Sequence, residues 1–365
     1  MTINTDFSID LPKNRCENIS EFRELLNEKI RKAKRAIMFF HKSPDFDSVG
    51  SNFGFIHYIK EINPEIEILI VSADKPAQNV LEFSKRSNIK INFSDPAFIN
   101  YEEGDLAVSI DFADISRTTR EEGFKLPGKV DQAIIDHHVL PPIEDKLNYI
   151  SKENISSSTI IYKLYKEAGI KIPKETFEFL ILGLLGDSGL LRFKDRNFLN
   201  SLSIISDYCE TYGIDGYFEI IEAIEANKPA EELSLQSIFL KNYQFDKEGK
   251  FMFTTITIKE RREVGIPDDY ADITNGAMLI RNYEGALFTF CISEDKHEKN
   301  KFNISFRSCT GSNFEVRSIA ERLGGGGHPA AAGVQIEAVD MKEAIERVRS
   351  AIHELNELRA SNLSI

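Results

Sequence analysis

Four short stretches carry side chains able to hold hard or borderline cations: His41, Asp45 and Asp47; Asp111; Asp136, His137 and His138; and Asp187. Carboxylates and imidazoles without thiolate suit Mn²⁺ or Mg²⁺, and also Fe²⁺, Co²⁺ or Zn²⁺. Several carboxylates in one crevice repel one another unless cations neutralise them. Two divalent ions about 3.5–4 Å apart are the usual apparatus for splitting phosphate esters, because they acidify an attacking water and absorb phosphate charge.

Singly, each group has a plainer reading. His41 could cap a turn or sit on the surface. Asp45 and Asp47, after Pro44, could be turn and helix-cap residues. Asp111 could cap a turn, and Asp187 lies among Gly186 and Gly189 where the chain must turn. Adjacent His137 and His138 are harder to explain structurally, since a buried imidazole must find partners. What unites them is their placement along the chain.

Apolar runs at 35–40, 66–71, 106–110 and 133–135 read as strands, and three of them end directly before His41, Asp111 and Asp136. Phe22, Leu25, Leu26 and Ile30 mark a helix ahead of the first strand, and a second helix starts around Ser48. Short apolar runs separated by helical patterns predict a parallel sheet with crossover helices. In such a sheet, ligands gather beyond the carboxyl ends of the strands. The three groups therefore converge if their strands are neighbours. After residue 150 the pattern is helical: one helix around Ile160–Tyr165, one over 177–185 ending at Gly186 and Asp187, and one over 199–208.

The texture changes again near residue 251, where alternating β-favouring segments appear. Turns are expected at Asp246-Lys247-Glu248-Gly249 and Asn282-Tyr283-Glu284-Gly285. The expected architecture is α/β throughout. A catalytic domain over 1–228 has a parallel sheet with flanking helices, a helical connector follows over 229–250, and a smaller α/β domain covers 251–358. This second domain carries Gly324-Gly325-Gly326-Gly327-His328. A helix C-cap explains Gly324, but four glycines exceed that need, and a run of bare N–H groups is a natural phosphate cradle. His328 stands beside it as a donor, and Arg307-Ser308 offers a forked guanidinium for phosphate. Arg192, just past Asp187, is a candidate of the same kind; a solvated surface arginine is the competing reading of both Arg307 and Arg192, while Arg317 and Arg322 read as surface charges. The alanines at 330–332 read as close helix packing.

The formal net charge of −13, from 58 acidic and 45 basic residues, argues against a protein that coats a nucleic-acid duplex. A small anionic substrate is compatible with it, because bound cations reverse the local field. Four cysteines without a CxxC pair suggest neither a zinc knuckle nor a disulfide framework. The first 35 residues lack the apolar core of a signal peptide, so a cytoplasmic protein with no membrane segment is expected.

In order and spacing, His41–Asp47 followed by Ser48, then Asp111, then Asp136-His137-His138, then Gly186-Asp187-Ser188-Gly189 resemble the four motifs of the DHH phosphoesterases. Phe306-Arg307-Ser308 and the loop from Gly324 to His328 resemble the DHH-associated substrate-binding domain. The similarity is strongest to the nanoRNase and pAp phosphatase subgroup. It implies a two-domain hydrolase with two divalent ions, usually manganese. His41 and Asp45 would bind one ion, Asp47, His137 and Asp187 the other, and Asp111 both. His138 would act beside the substrate phosphate as general acid or charge stabiliser. Asp136 would orient His137. Arg307, Ser308, Gly325, Gly326, Gly327 and His328 would hold the substrate phosphate or terminal nucleotide, with Arg192 as a further contact.

The expected substrates are short single-stranded oligonucleotides or 3′-phosphoadenosine 5′-phosphate (pAp), and the resemblance allows a homodimer. Cyclic or linear dinucleotides such as cyclic di-AMP and pApA are the alternative. A nucleotide-binding regulator without catalysis is a further alternative, disfavoured because the candidate ligands are all present. Ser188 departs from the threonine expected there. Family II pyrophosphatases and processive exonucleases fit less well, for want of a Ser-Arg-Lys-Lys-Gln signature and of a basic, aromatic-rich strand track.

Overall fold

The computed structural model describes residues 16–138, 143, 146–192, 197–225, 230–268, 276–281 and 283–362. The chain divides into two compact units, with the boundary after Asn227.

The first unit is a six-stranded, wholly parallel sheet: β1 (Arg35–Phe39), β2 (Glu67–Val71), β3 (Ile91–Asn92), β4 (Asp105–Ile110), β5 (Asp131–Asp136) and β6 (Leu147–Ile150), in the order β3-β2-β1-β4-β5-β6. Its helices are α1 (Ile19–Lys32), α2 (Phe46–Ile62), α3 (Gln78–Ser84), α4 (Ser157–Ala168), α5 (Lys174–Asp187), α6 (Phe198–Tyr212) and α7 (Asp215–Glu225). The central strands are apolar on both faces, as a doubly covered parallel sheet requires. Met38, Phe40, Val108, Ile110 and Ile135 join the large core that includes residues of α1, α2, α4 and α5. Ile37, Phe39, Val71 and Ala107 face the other way, into a smaller core with Tyr101, Phe112, Ile115 and Val130.

The strand order reverses direction between β1 and β4, which makes the crevice beyond their carboxyl ends the place where ligands collect. Register completes the alignment. Phe39 pairs with Ser109, and Ile110 with Ile135, so the residues that follow β1, β4 and β5 emerge side by side. The expectation that His41, Asp111 and Asp136 sit on neighbouring strand ends is met. Strands β3 and β6 were not anticipated: one has two residues, and the other, of four, follows immediately after a polar stretch.

Helices α2 and α5 cross in close contact because glycines face glycines. A Cβ on Gly50 would lie 2.4 Å from the Phe179 carbonyl and 2.7 Å from the Gly183 nitrogen.

The second unit is a mixed sheet: β7 (Gln244–Asp246), β8 (Phe251–Ile256), β9 (Phe288–Glu294), β10 (Lys301–Ser308), β11 (Gly326–His328) and β12 (Ala331–Glu337), in the order β11-β12-β10-β9-β8-β7. Only β8 and β9 pair in parallel; the other pairs are antiparallel. Helices α8 (Ala230–Asn242), α9 (Ile258–Glu263), α10 (Gly276–Leu279), α11 (Arg317–Arg322) and α12 (Met341–Asn362) complete it. Phe251, Phe253, Phe288, Phe290 and Phe306 form an aromatic core with residues of α11 and α12. On a separate core, Leu235, Ile238 and Phe239 of α8 pack with Ile256, Ile266, Ala277 and Cys291.

Three expectations change here. Most of the stretch expected as a connector over 229–250 is α8 and β7, packed or paired within this unit, while Pro229 lies outside the described residues. The turn at Asp246 is a hairpin, with Gly249 N–H donating to Asp246 Oδ1 at 2.8 Å. The turn expected at 282–285 is no hairpin, since it follows α10 and leads into β9, which runs parallel to β8; Asn282 lies outside the described residues. Finally, the alanines do not pack helices. Ala331 and Ala332 begin β12, and the small side chains allow a β11–β12 hairpin to close against β10. No helix among the described residues is long and apolar enough to cross a membrane.

Candidate metal centre

Beyond β1, the chain passes through His41 and reaches α2 with Asp45 as N-cap, whose Oδ1 accepts the N–H groups of Asp47 and Ser48 at 3.1 and 2.9 Å. The cap reading of Asp45 thus holds, and the helix begins two residues before Ser48. Asp47, in the first turn of α2, is wholly buried. It is anchored from an unexpected direction, by the N-terminus of α4: Ser157 and Ser158 donate their N–H groups to its two oxygens at 2.6 and 3.0 Å. Positively polarised helix N-termini suit a buried carboxylate. The run Ser156-Ser157-Ser158-Thr159 was the signal missed, a capping box ahead of an apolar helix.

Asp111 follows β4 with φ of +72°, a left-handed conformation that aspartate tolerates better than most residues. Its N–H is fixed by the Ile135 carbonyl at 3.0 Å. The two carboxylate oxygens face opposite partners. Oδ2 lies 3.3 Å from His41 Nε2, and Oδ1 lies 3.3 Å from His137 Nε2. His41 Nε2 is also 3.6 Å from Asp45 Oδ1, and His137 Nε2 is 3.1 Å from Asp187 Oδ2 at the end of α5. Three sets of donor atoms, each set lying within 4.8 Å, result: His41, Asp45, Asp111; Asp47, Asp111, His137, Asp187; and Asp111, Asp136, His137, His138. Asp111 belongs to all three.

Two ligands at right angles on one ion, each bonded at about 2.1 Å, stand about 3.0 Å apart. The 3.1–3.6 Å separations therefore have the scale of a shared coordination sphere. Asp111 Oδ1 is buried and makes no hydrogen bond, although His137 Nε2 is close. An atom so placed fits a cation. His41 Nδ1 lies 2.8 Å from the Lys42 carbonyl, which holds the proton on Nδ1 and presents Nε2 to the site.

The electrostatics agree. Burial pushes Asp47 well above the usual carboxylate range, and Asp111 and Asp187 push it the same way. Burial pushes Asp187 up to about 6 against the pull of His137. Burial alone would lower His41 and hinder its charging; Asp45 and Asp111 more than offset this and raise it well above its ordinary value. His137 is raised likewise by Asp111 and Asp187. Asp111, despite burial, is held well below the carboxylate range by the two imidazoles. The cluster is an excess of buried negative charge that recruits protons where other cations are lacking.

One assignment is corrected. Asp136 does not orient His137. Its Oδ1 lies 2.7 Å from His138 Nδ1 and accepts the His138 N–H at 3.1 Å. Side chains two apart along an extended segment share a face, so Asp136 meets His138 while His137 turns to Asp111 and Asp187. His138 keeps part of its ring exposed.

In the second unit, Arg307 and His328 occupy one row of the sheet, flanking Ala331, since Arg307 pairs with Ala331 and His328 pairs with Ala331. Directly paired residues project to the same face, so the small alanine floors the space between them. Ser308 N–H donates to the Ala330 carbonyl at 2.8 Å, and its Oγ is 3.1 Å from Ser312 Oγ. Burial pushes Arg307 down to about 10, helped by Arg281, a cation that sequence reasoning did not single out.

The glycine run has a backbone reason. Gly324 takes a positive φ at the end of α11. Gly325 and Gly327 lie so close to β12 that a Cβ would stand 2.2 Å from the Gly333 carbonyl and 2.6 Å from that of Ala331, respectively. Gly326 has open space. Arg192 is exposed and engaged with the Gly189 carbonyl at 2.9 Å and Glu225 at 3.1 Å.

Comparison with known proteins agrees with this geometry. Residues 35–184 match the DHH family, N-terminal domain, and residues 266–354 match the DHHA1 domain. The bifunctional oligoribonuclease and PAP phosphatase NrnA of Thermus thermophilus is 26% identical over 314 residues, 86% of this chain and 88% of that protein. The cyclic-di-AMP phosphodiesterase GdpP of Geobacillus thermodenitrificans is 26% identical over 90% of this chain, but only 49% of its own length is covered. An exopolyphosphatase-related protein from Bacteroides fragilis shares the fold, with a TM-score of 0.75 at 20% identity over 93% of this chain and 97% of that one.

Proposed function

Since the chain belongs to the DHH family of phosphoesterases and carries a DHHA1 domain, we propose that it is a hydrolase of short oligonucleotides and of pAp, working with two divalent metal ions, manganese foremost. The observation that carries the reading is Asp111: one carboxylate, at the reversal point of the sheet, turned by its two oxygens towards two histidines. His41 and Asp45 would hold one ion, Asp47, His137 and Asp187 the other, and Asp111 both. Bound there, the ions would acidify an attacking water and neutralise charge on the phosphate.

The chain's own residues do the rest. His138, bonded to Asp136, would give a proton to the departing oxygen or stabilise charge on it. In the second unit, Arg307, Ser308 and His328 would hold the substrate's phosphate or terminal nucleotide. Both readings of the substrate rest on relatives. The similarity to NrnA covers nearly the whole of both chains, which favours oligonucleotides and pAp. The similarity to GdpP keeps cyclic di-AMP and pApA as the second reading. Hydrolysis rates on pAp, two-nucleotide RNA, cyclic di-AMP and pApA, each with Mn²⁺, Mg²⁺ and Co²⁺ and with products identified, decide between them. Turnover of only the cyclic substrate would overturn the first reading, and turnover of none would overturn both.

A further inference from the structure

Three loops leave the carboxyl ends of β1, β2 and β4, and one carboxylate ties them together. Asp74, in the loop after β2, belongs to none of the candidate ligand sets. Its Oδ2 accepts the N–H of Ser43 at 2.9 Å. Its Oδ1 receives the Arg120 guanidinium at 2.6 Å. Its own carbonyl accepts from Ser72 Oγ at 2.5 Å, which fixes where the carboxylate is presented.

Both partners matter for the centre. Ser43 lies midway between His41 and Asp45 and holds φ of +53°, a conformation an L-residue adopts reluctantly and keeps only when its surroundings enforce it. Arg120 ends the segment that begins at Asp111, and that segment is itself secured. Asp95 Oδ2 accepts the Arg120 N–H at 2.9 Å, and the Arg117 carbonyl accepts the Lys42 N–H at 2.6 Å. Asp74 is thus bonded both to the His41–Asp45 loop and to the stretch after Asp111. Its side chain is 17% exposed, so solvent competes weakly for these bonds.

We propose that Asp74 is a positioning residue of the metal centre. Through Ser43 and Arg120 it sets the distance of His41 and Asp45 from Asp111 without touching an ion. The proposal rests on the metal-dependent reading above. Residues one step behind a ligand typically change metal affinity by about 10–100-fold when removed.

The test uses the full chain, with Mn²⁺ as probe. Manganese affinity is measured by calorimetric titration, beside thermal melting of the metal-free protein and turnover at saturating Mn²⁺. For Asp74→Ala, affinity should fall about tenfold or more while turnover at saturation stays within about threefold. Asp74→Asn keeps an acceptor for Ser43 but loses the charge pair, and Arg120→Ala removes that pair from the other side. Both should fall between Asp74→Ala and the parent, so a poorly folding alanine variant does not leave the matter open. Unchanged manganese affinity in the folded variants would overturn the proposal, as would lost turnover with affinity intact. Failure of the parent protein to bind Mn²⁺ at all would instead sink the metal-dependent reading, a distinct result.

Discussion

Replacing Asp111 by asparagine removes one charge and one ligand oxygen at the point common to all three donor sets. Each carboxylate oxygen stands 3.3 Å from a histidine nitrogen. At an effective dielectric near 20, a unit charge pair at that distance is worth on the order of 5 kcal/mol before desolvation is subtracted. Removing one partner of a buried charge pair costs about 3–5 kcal/mol, so the metal-free variant should still fold but melt several degrees below the parent. The backbone supports this, because asparagine accepts φ of +72° about as readily as aspartate. Asp111→Ala would add left-handed strain of about 1–2 kcal/mol and confuse the result.

Function responds differently. An outer partner of a ligand is worth about 10–100-fold, so a ligand shared by two ions should be worth more than about 100-fold in kcat. The assay is turnover of two-nucleotide RNA across a Mn²⁺ titration, with bound manganese counted by elemental analysis. The expected variant is folded, binds fewer ions and loses at least 100-fold in kcat at saturating metal. An asparagine variant that binds two ions and works within tenfold of the parent would refute the shared-ligand argument.

Other outcomes follow from the same geometry. His138→Gln should lower kcat by about 10²–10⁴-fold with little change in manganese affinity, the mark of a proton donor. Asp136→Asn should lower kcat by less than His138→Gln does, since it only loosens the hold on His138 Nδ1; an unchanged kcat would remove Asp136 from that role. In the metal-free protein the raised His41 and His137, together with Asp187 pushed up to about 6, favour the protonated folded state, so stability falls as pH rises through their folded values. Manganese displaces those protons, and its increment in melting temperature should therefore be larger at about pH 8 than at about pH 6; a smaller increment at the higher pH would contradict this. In Gly183→Ala the new methyl would stand 2.0 Å from Ser158 Oγ and 2.6 Å from Asp47 Oδ1. Overpacking of about 1–3 kcal/mol should appear in thermal melts, together with weakened metal binding in calorimetry.

Much of this arrangement was readable in one dimension, for physical reasons. A strand that ends in a cation-binding residue declares where that residue emerges, and three such strands in an α/β pattern predicted the meeting of His41, Asp111 and Asp136. Asp187 at the end of an apolar helix was readable in the same way. Less visible was whatever depends on pairing across the fold. The anchoring of Asp47 needs the N-terminus of a helix more than a hundred positions later. The alanines looked like helix packing because short strands of small residues carry no periodic signal, and only their pairing with Arg307 reveals a sheet. The Asp136 partner was assigned to the wrong histidine, although the two-residue alternation of extended chain already favoured His138.

The donor atoms of the first unit come from both ends of a long stretch, from His41 near the first strand to Asp187 closing α5. Capture of a divalent ion would therefore act as a closing stitch. A chain emerging from the ribosome has no complete cage until its fifth helix is out, and loading would then add its binding energy to the stability of everything assembled before. Supply of that ion would govern how much intact protein accumulates.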